Sequence, residues 1–242
     1  MRHAFLMLAC IAIMICSCKK DKINTVKQEQ DDPNWIKLEI PNARDAYAFA
    51  GSIDDTLLVT TWVKAYFTTN KGKTWQESKN FNGQVQGLIT SGDSVIALAA
   101  TGGLELEGTY GAGLAQYYTL DYGRSWNPYL KPDGGYRSKS IGISQSADKQ
   151  VTYKLKYNVS PLTKNDYTAY IHNPTQITRT IYGSTNLINF PFKRKIHNLY
   201  LDNHDRLYVA ASGGAYIAET NSFNGGGTDD SAIIYISRNT LP

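Results

Sequence analysis

The sequence predicts an all-β fold, a small β-propeller of about four blades with four antiparallel strands in each. Three observations carry this. Tyr occurs 17 times and Gly 20 times in 242 residues, and a Tyr- and Gly-rich chain with little Leu leans towards strand. A short turn-like pattern ending in Trp occurs at Thr68 and again at Thr119, 51 residues on. Units of strand, polar turn and strand recur four times along the chain. With 42% hydrophobic and 19% charged residues the composition is that of a globular protein, neither disordered nor a coiled coil. Lys and Arg number 25 against 21 Asp and Glu, a net charge of +4. That is too weak and too dispersed to expect nucleic acid as a partner.

The N-terminus comes first in chain order. Arg2 and His3 precede an apolar run from Ala4 to Cys16, too short to span a bilayer comfortably but the right length for the core of a signal peptide. It ends in Ile15-Cys16-Ser17-Cys18, which resembles a bacterial lipoprotein signal. The resemblance implies a signal peptide over residues 1–17, a fatty acyl (palmitate) anchor on Cys18, and a place in the cell envelope. The outer membrane is expected, on its periplasmic side or at the cell surface. A cleaved secretory signal and a buried first helix are the alternatives. All the cysteines (Cys10, Cys16, Cys18) lie here, so the rest of the chain is expected to fold without disulfides or thiolate chemistry. The polar stretch from Lys19 to Pro33 has almost nothing to bury and reads as a tether. As a random coil its fifteen residues would reach roughly 20 Å.

Residues 34–242 form the expected propeller. Thr68-Thr69-Asn70-Lys71-Gly72-Lys73-Thr74-Trp75 and Thr119-Leu120-Asp121-Tyr122-Gly123-Arg124-Ser125-Trp126 share one pattern, and each follows an alternating strand. In a hairpin turn Gly72 and Gly123 can take positive φ, while Asn70 and Asp121 can bond turn amides. Trp75 and Trp126 are then expected to pack between sheets. The pattern resembles the Asp-box (BNR) repeat of β-propellers found in sialidases, sortilin-type receptors and photosystem-assembly-factor-like proteins. The resemblance implies a structural role for Asn70, Gly72, Trp75, Asp121, Gly123 and Trp126, away from any active site. A degenerate copy is expected over Tyr182–Phe190. The last copy breaks off after Ile233–Pro242, and Trp35 with the alternating strand to Ile40 supplies the missing half. The N-terminal strand is therefore expected to close the ring, which also removes an open sheet edge.

The front halves align at 46–61, 85–99, 139–155 and 198–211, with polar turns at Ser52–Asp55, Ser91–Ser94, Gln145–Lys149 and Asp202–Asp205. Connections on the opposite face lengthen along the chain: 101–113, 157–176 and 212–230 are expected to be loops, the places where ligand sites arise. Their aromatics Tyr110, Tyr167, Tyr170, Tyr216 and Phe223 suit a glycan or a peptide.

The leading expectation is a non-enzymatic binding or assembly module with a glycan, peptide or protein partner. The alternative is a glycan-active hydrolase or lyase using Glu105 or Glu107 with Asp229 or Asp230. Sialidase chemistry in particular is disfavoured. Arg124, Arg206 and Arg238 fall on the turn face, and no Arg-Ile-Pro signature exists, Lys193-Arg194-Lys195-Ile196-His197 being the nearest string. Asp202-Asn203-His204-Asp205 reads as a turn rather than a metal site, and no cofactor or metal is expected.

Overall fold

The computed structural model describes residues 31–105, 109–130, 139–163, 166–227 and 229–241. The expected signal peptide, Cys18 and most of the expected tether lie outside the described residues.

Strand β1 (Trp35–Ile40) comes first in the chain and last in the ring. Blade I is built from β2 (Ala46–Gly51), β3 (Leu57–Thr61), β4 (Lys64–Thr68) and β5 (Gln76–Asn80). Blade II is built from β6 (Val85–Ser91), β7 (Ser94–Glu105), β8 (Thr109–Thr119) and the short β9 (Asn127–Pro128). β10 (Lys139–Ile141) pairs with β8, and Gly142 separates it from β11 (Ile143–Gln145), the first strand of blade III. That blade continues with β12 (Val151–Lys156), an inserted hairpin of β13 (Val159–Thr163) and β14 (Asp166–His172), then β15 (Gln176–Ile181) and β16 (Ser184–Leu187). Blade IV comprises β17 (Ile196–Leu201) and β18 (Leu207–Ala211), then a small hairpin of β19 (Tyr216–Ile217) and β20 (Ser222–Phe223), then β21 (Ala232–Ser237). β1 completes it, antiparallel to β21 from Trp35 opposite Ser237 to Ile40 opposite Ala232. The fold is a four-bladed β-propeller whose ring is closed by the N-terminal strand.

Period-two alternation buries both faces of the inner strands. In β21, Ile234 and Ile236 pack towards blade I with Leu38, Ile40, Phe49 and Tyr208, while Ile233 and Tyr235 pack towards blade III with Trp35, Tyr153, Ile177 and Phe192. Between blades I and II, Leu58, Phe67, Phe81, Leu88 and Val95 form the corresponding layer. A smaller group holds Ile96, Leu98, Ala112, Ala115 and Ile141. Each fully buried Leu, Ile or Val contributes about 1.5–3 kcal/mol of transfer free energy, so these layers are what hold the ring.

The two Trp-ending turns show how sequence sets local structure. Thr68 Oγ1 accepts the Gly72 N–H at 3.0 Å and Asn70 Oδ1 accepts the Thr74 N–H at 3.0 Å. In the second turn, Thr119 Oγ1 accepts the Gly123 N–H at 2.9 Å and Asp121 Oδ1 accepts the Ser125 N–H at 2.8 Å. Gly123 has φ 92°, and a Cβ there would stand 2.6 Å from Leu58 of blade I. Trp126 packs edge-on against Phe81, with ring centroids 5.1 Å apart, and donates its indole N–H to Ser78 Oγ at 2.7 Å. Each turn thus docks on the preceding blade: Gly123 and Trp126 on blade I, Gly72 and Trp75 beside Leu38 of blade IV.

Two expectations need correcting. The degenerate copy at Tyr182–Phe190 is not a turn of this kind. Ser184–Leu187 is strand β16 itself, and the reversal is made by Tyr182 (φ 47°) and Gly183 (φ 82°) alone. Positive φ at both central residues is the two-residue hairpin geometry that matches strand twist. Phe190 lies with Trp35, 5.0 Å away, in the layer between blades III and IV. The expected long loops are also largely laddered. Residues 101–105 and 109–113 extend the β7–β8 pairing out to Glu105 opposite Thr109, and the other two segments carry the β13–β14 and β19–β20 hairpins. Pairing satisfies backbone groups that an irregular loop would leave to water.

Candidate functional site

The turns between first and second and between third and fourth strands share one face of the ring, the turn face. The remaining connections share the other, the loop face, and the candidate site opens there. The first strands of three blades carry a β-bulge at the same place. Register shifts between Ala46 and Ala48, between Val85 and Gly87, and between Ile196 and Asn198. The extra residues are Tyr47, Gln86 and His197. A bulge re-aims one side chain out of the pleat, and all three line a single depression of about 280 Å³. In blade III the corresponding position, between Ile141 and Ile143, is Gly142 (φ 79°), so that blade places no side chain at the bulge position itself. The Gly142 N–H donates to Asn198 Oδ1 at 2.8 Å, and Asn198 also donates to the Gln86 carbonyl at 3.4 Å. One buried amide thereby fixes blades II, III and IV around the mouth.

Gln84, Tyr110, Tyr157, His172 and Lys195 complete the rim, so every blade contributes. Tyr110 and Tyr157 meet edge to face at 5.8 Å. Burial, with Tyr110 beside it, pushes the Tyr157 phenol up to about 12. It therefore stays neutral at ordinary pH, able to donate and accept. A second cavity of about 580 Å³ shares His172 and Lys195 and runs outward past Arg44, Ile171 and Phe223. It continues the depression as a groove between the two inserted hairpins.

At the inner end, Asp45, His197 and Ser212 meet. His197 Nε2 stands 2.8 Å from Ser212 Oγ and 3.4 Å from Asp45 Oδ1. The Tyr47 ring lies 4.8 Å from the imidazole. The trio resembles a nucleophile relay only in composition. A relay needs the hydroxyl on one ring nitrogen and the carboxylate on the other, whereas here both oxygens face the same nitrogen. Burial would raise the Asp45 pKa, but His197, Ser212 and Arg44 outweigh it and hold the carboxyl below its ordinary range. The cluster fastens the approach to β2 onto the end of β18, where Asp45 bridges Ser212 and the Gly213 N–H donates to the Arg44 carbonyl at 3.0 Å. Arg44 also lies over the Trp62 ring, 4.1 Å from its centroid.

The sequence-derived candidates are placed as follows. Tyr110 lines the depression and Phe223 the groove. Tyr216 supports Phe223 with ring centroids 5.3 Å apart and donates to Asn221 Oδ1 at 2.9 Å. Tyr167 and Tyr170 belong to β14, and Glu105 to the end of β7; the side chains of these three, and Glu107 altogether, lie outside the described residues. Asp229 is exposed. The Asp230 carboxylate caps a glycine turn, accepting the Gly226 N–H and, at 2.9 Å, the Gly227 N–H. Among the described residues no group of three or more His, Cys, Asp or Glu could hold a metal ion.

Tyr47, Gln84, Gln86, Tyr157, Lys195 and His197 were not among the candidates. Aligning the first strands would have found the bulged trio, since Ala46-Tyr47-Ala48, Val85-Gln86-Gly87 and Ile196-His197-Asn198 occupy equivalent positions. The ties from His197 to Asp45 and Ser212 leave no local signal.

No family model matches the chain, and no curated protein matches it. Among solved structures, YCF48 bound to D1 peptide is similar at 11% identity, over 84% of this chain and 72% of that one, with a TM-score of 0.28. Virginiamycin B lyase from Staphylococcus aureus is similar at 14% identity, over 76% and 72%, with a TM-score of 0.26. At such identities and scores, function has to be argued from this chain's own residues.

Proposed function

We propose that the protein is a lipid-anchored envelope module, held at Cys18, that binds a segment of a partner protein on its loop face. One observation carries the reading. Bulges at one repeated position turn Tyr47, Gln86 and His197 of three different blades into the same depression. Re-aimed side chains that converge are a feature of binding sites rather than of packing. The groove leading away offers Ile171 and Phe223 beside Lys195 and Arg44, the latter 3.3 Å from Asp45, with His172 also in the lining, which suits an extended segment that carries apolar side chains and a carboxylate. With Ser212 and Asp45 sharing one imidazole nitrogen, the depression favours recognition over acyl transfer.

A photo-crosslinking amino acid at Gln86 tests the reading in intact envelopes. A discrete adduct is expected from Gln86 and none from Tyr182, which is exposed on the turn face. Equal adducts from both positions, or none from either, would refute it. For the anchor, Cys18→Ala is expected to move the protein from the membrane to the soluble fraction, and unchanged fractionation would sink that part.

A further inference from the structure

A separate notch of about 430 Å³ opens where blades III and IV meet on the turn side, at the seam where the ring closes. Four carboxamides ring it: Asn186 and Asn189 from β16 and the segment after it, Asn34 just before β1, and Asn239 just after β21. None of these side-chain amides has a hydrogen-bond partner among the described residues. Leu187, 54% exposed, adds apolar surface between them. Among the described residues the lining holds no carboxylate. Its one cation, Arg179, donates to the Leu241 carbonyl at 3.0 Å.

We propose that this notch is a binding site for a neutral saccharide. A carboxamide presents a donor and an acceptor side by side, the complement of neighbouring hydroxyls on a sugar ring, and four of them can engage several hydroxyls at once. The apolar patch suits the C–H face of such a ring. The lining's one charge, Arg179, is already engaged with the Leu241 carbonyl. With no second cation in the lining among the described residues, the notch is better matched to a neutral ligand than to an anionic one, whose charge is costly to bury without full pairing. The volume lies within the roughly 300–1,000 Å³ typical of small-molecule sites. The proposal is independent of the loop-face reading, since the two sites share no residue.

The test is saturation-transfer NMR on the full-length protein with glucose, galactose, N-acetylglucosamine, maltose and cellobiose. Transfer to at least one sugar is expected. It should weaken at least tenfold in Asn186→Ala/Asn239→Ala, whose melting temperature should match the parent because both side chains are exposed and unpaired. Asn189→Ala is a second variant in case the double one misfolds. No transfer to any sugar overturns the proposal. So does transfer that survives these substitutions, or that is lost in His197→Ala instead, which would put the sugar on the loop face.

Discussion

The Asp202 carboxylate is closed off from solvent and accepts bonds from several directions. Arg206 Nη2 donates at 2.6 Å, the Tyr208 hydroxyl at 3.0 Å, and the His204 and Arg206 amides at 2.9 and 3.0 Å. Arg206 reaches on to Ser52 of blade I at 2.9 Å, and the Ile53 N–H donates to Tyr208. Burial works against the charge, but Arg206, the two amides and Tyr208 prevail and hold the carboxyl below its ordinary range. A folded-state pKa below the unfolded value, about 3.9, gives stability that is complete above that value. It is lost as pH falls through the folded pKa. Asp202→Asn is expected to cost about 3 kcal/mol at pH 7, and the gap in denaturant midpoint should narrow below about pH 4. Gly123→Ala combines positive φ with a collision on Leu58 and is expected to cost about 2 kcal/mol, read as a lower melting temperature. The Gly123 turn was legible in the sequence because its partners, Thr119 to Ser125, are neighbours in the chain. The Asp45, His197 and Ser212 cluster was not, because only the ring brings those residues together.

At the level of elements, β1 decides whether the ring exists. Leu38 and Ile40 enter one interblade layer, Trp35 another, and the strand covers the free edge of β21. Deleting residues 35–40 is expected to abolish cooperative melting rather than merely lower its midpoint. A melt unchanged by the deletion would show that the strand is dispensable. Its role was legible because the broken repeat at one chain end and its missing Trp at the other fit together. Blade III misled because Ser184-Thr185-Asn186 has turn-like composition, yet Tyr182 and Gly183 reverse the chain before it. The inserted hairpins were illegible for a related reason. β19 and β20 are two residues each, too short to register as strand, and β13 contains Pro161 at an irregular register, which concealed the pairing partner of the seven-residue β14.

For the whole molecule, closure joins residues from both chain ends in one blade, so no blade can leave the ring without exposing two interblade layers. Unfolding is expected to be a single transition, with equal calorimetric and van't Hoff enthalpies; a calorimetric ratio well above one would mean that blades melt separately. The ring also has a direction. In the closing blade β1 runs from Asn34 on the turn side to Ile40 on the loop side, so the chain enters at the end opposite the bulged trio. With Cys18 lipidated as proposed, the short leash would draw the turn side towards the bilayer. The mouth would then look outward, as an open receptor does, and the amide-lined notch would sit in the shallow gap above the lipid. A partner would have to arrive from the aqueous side, whereas a saccharide in the notch would have to be one found close to the membrane surface.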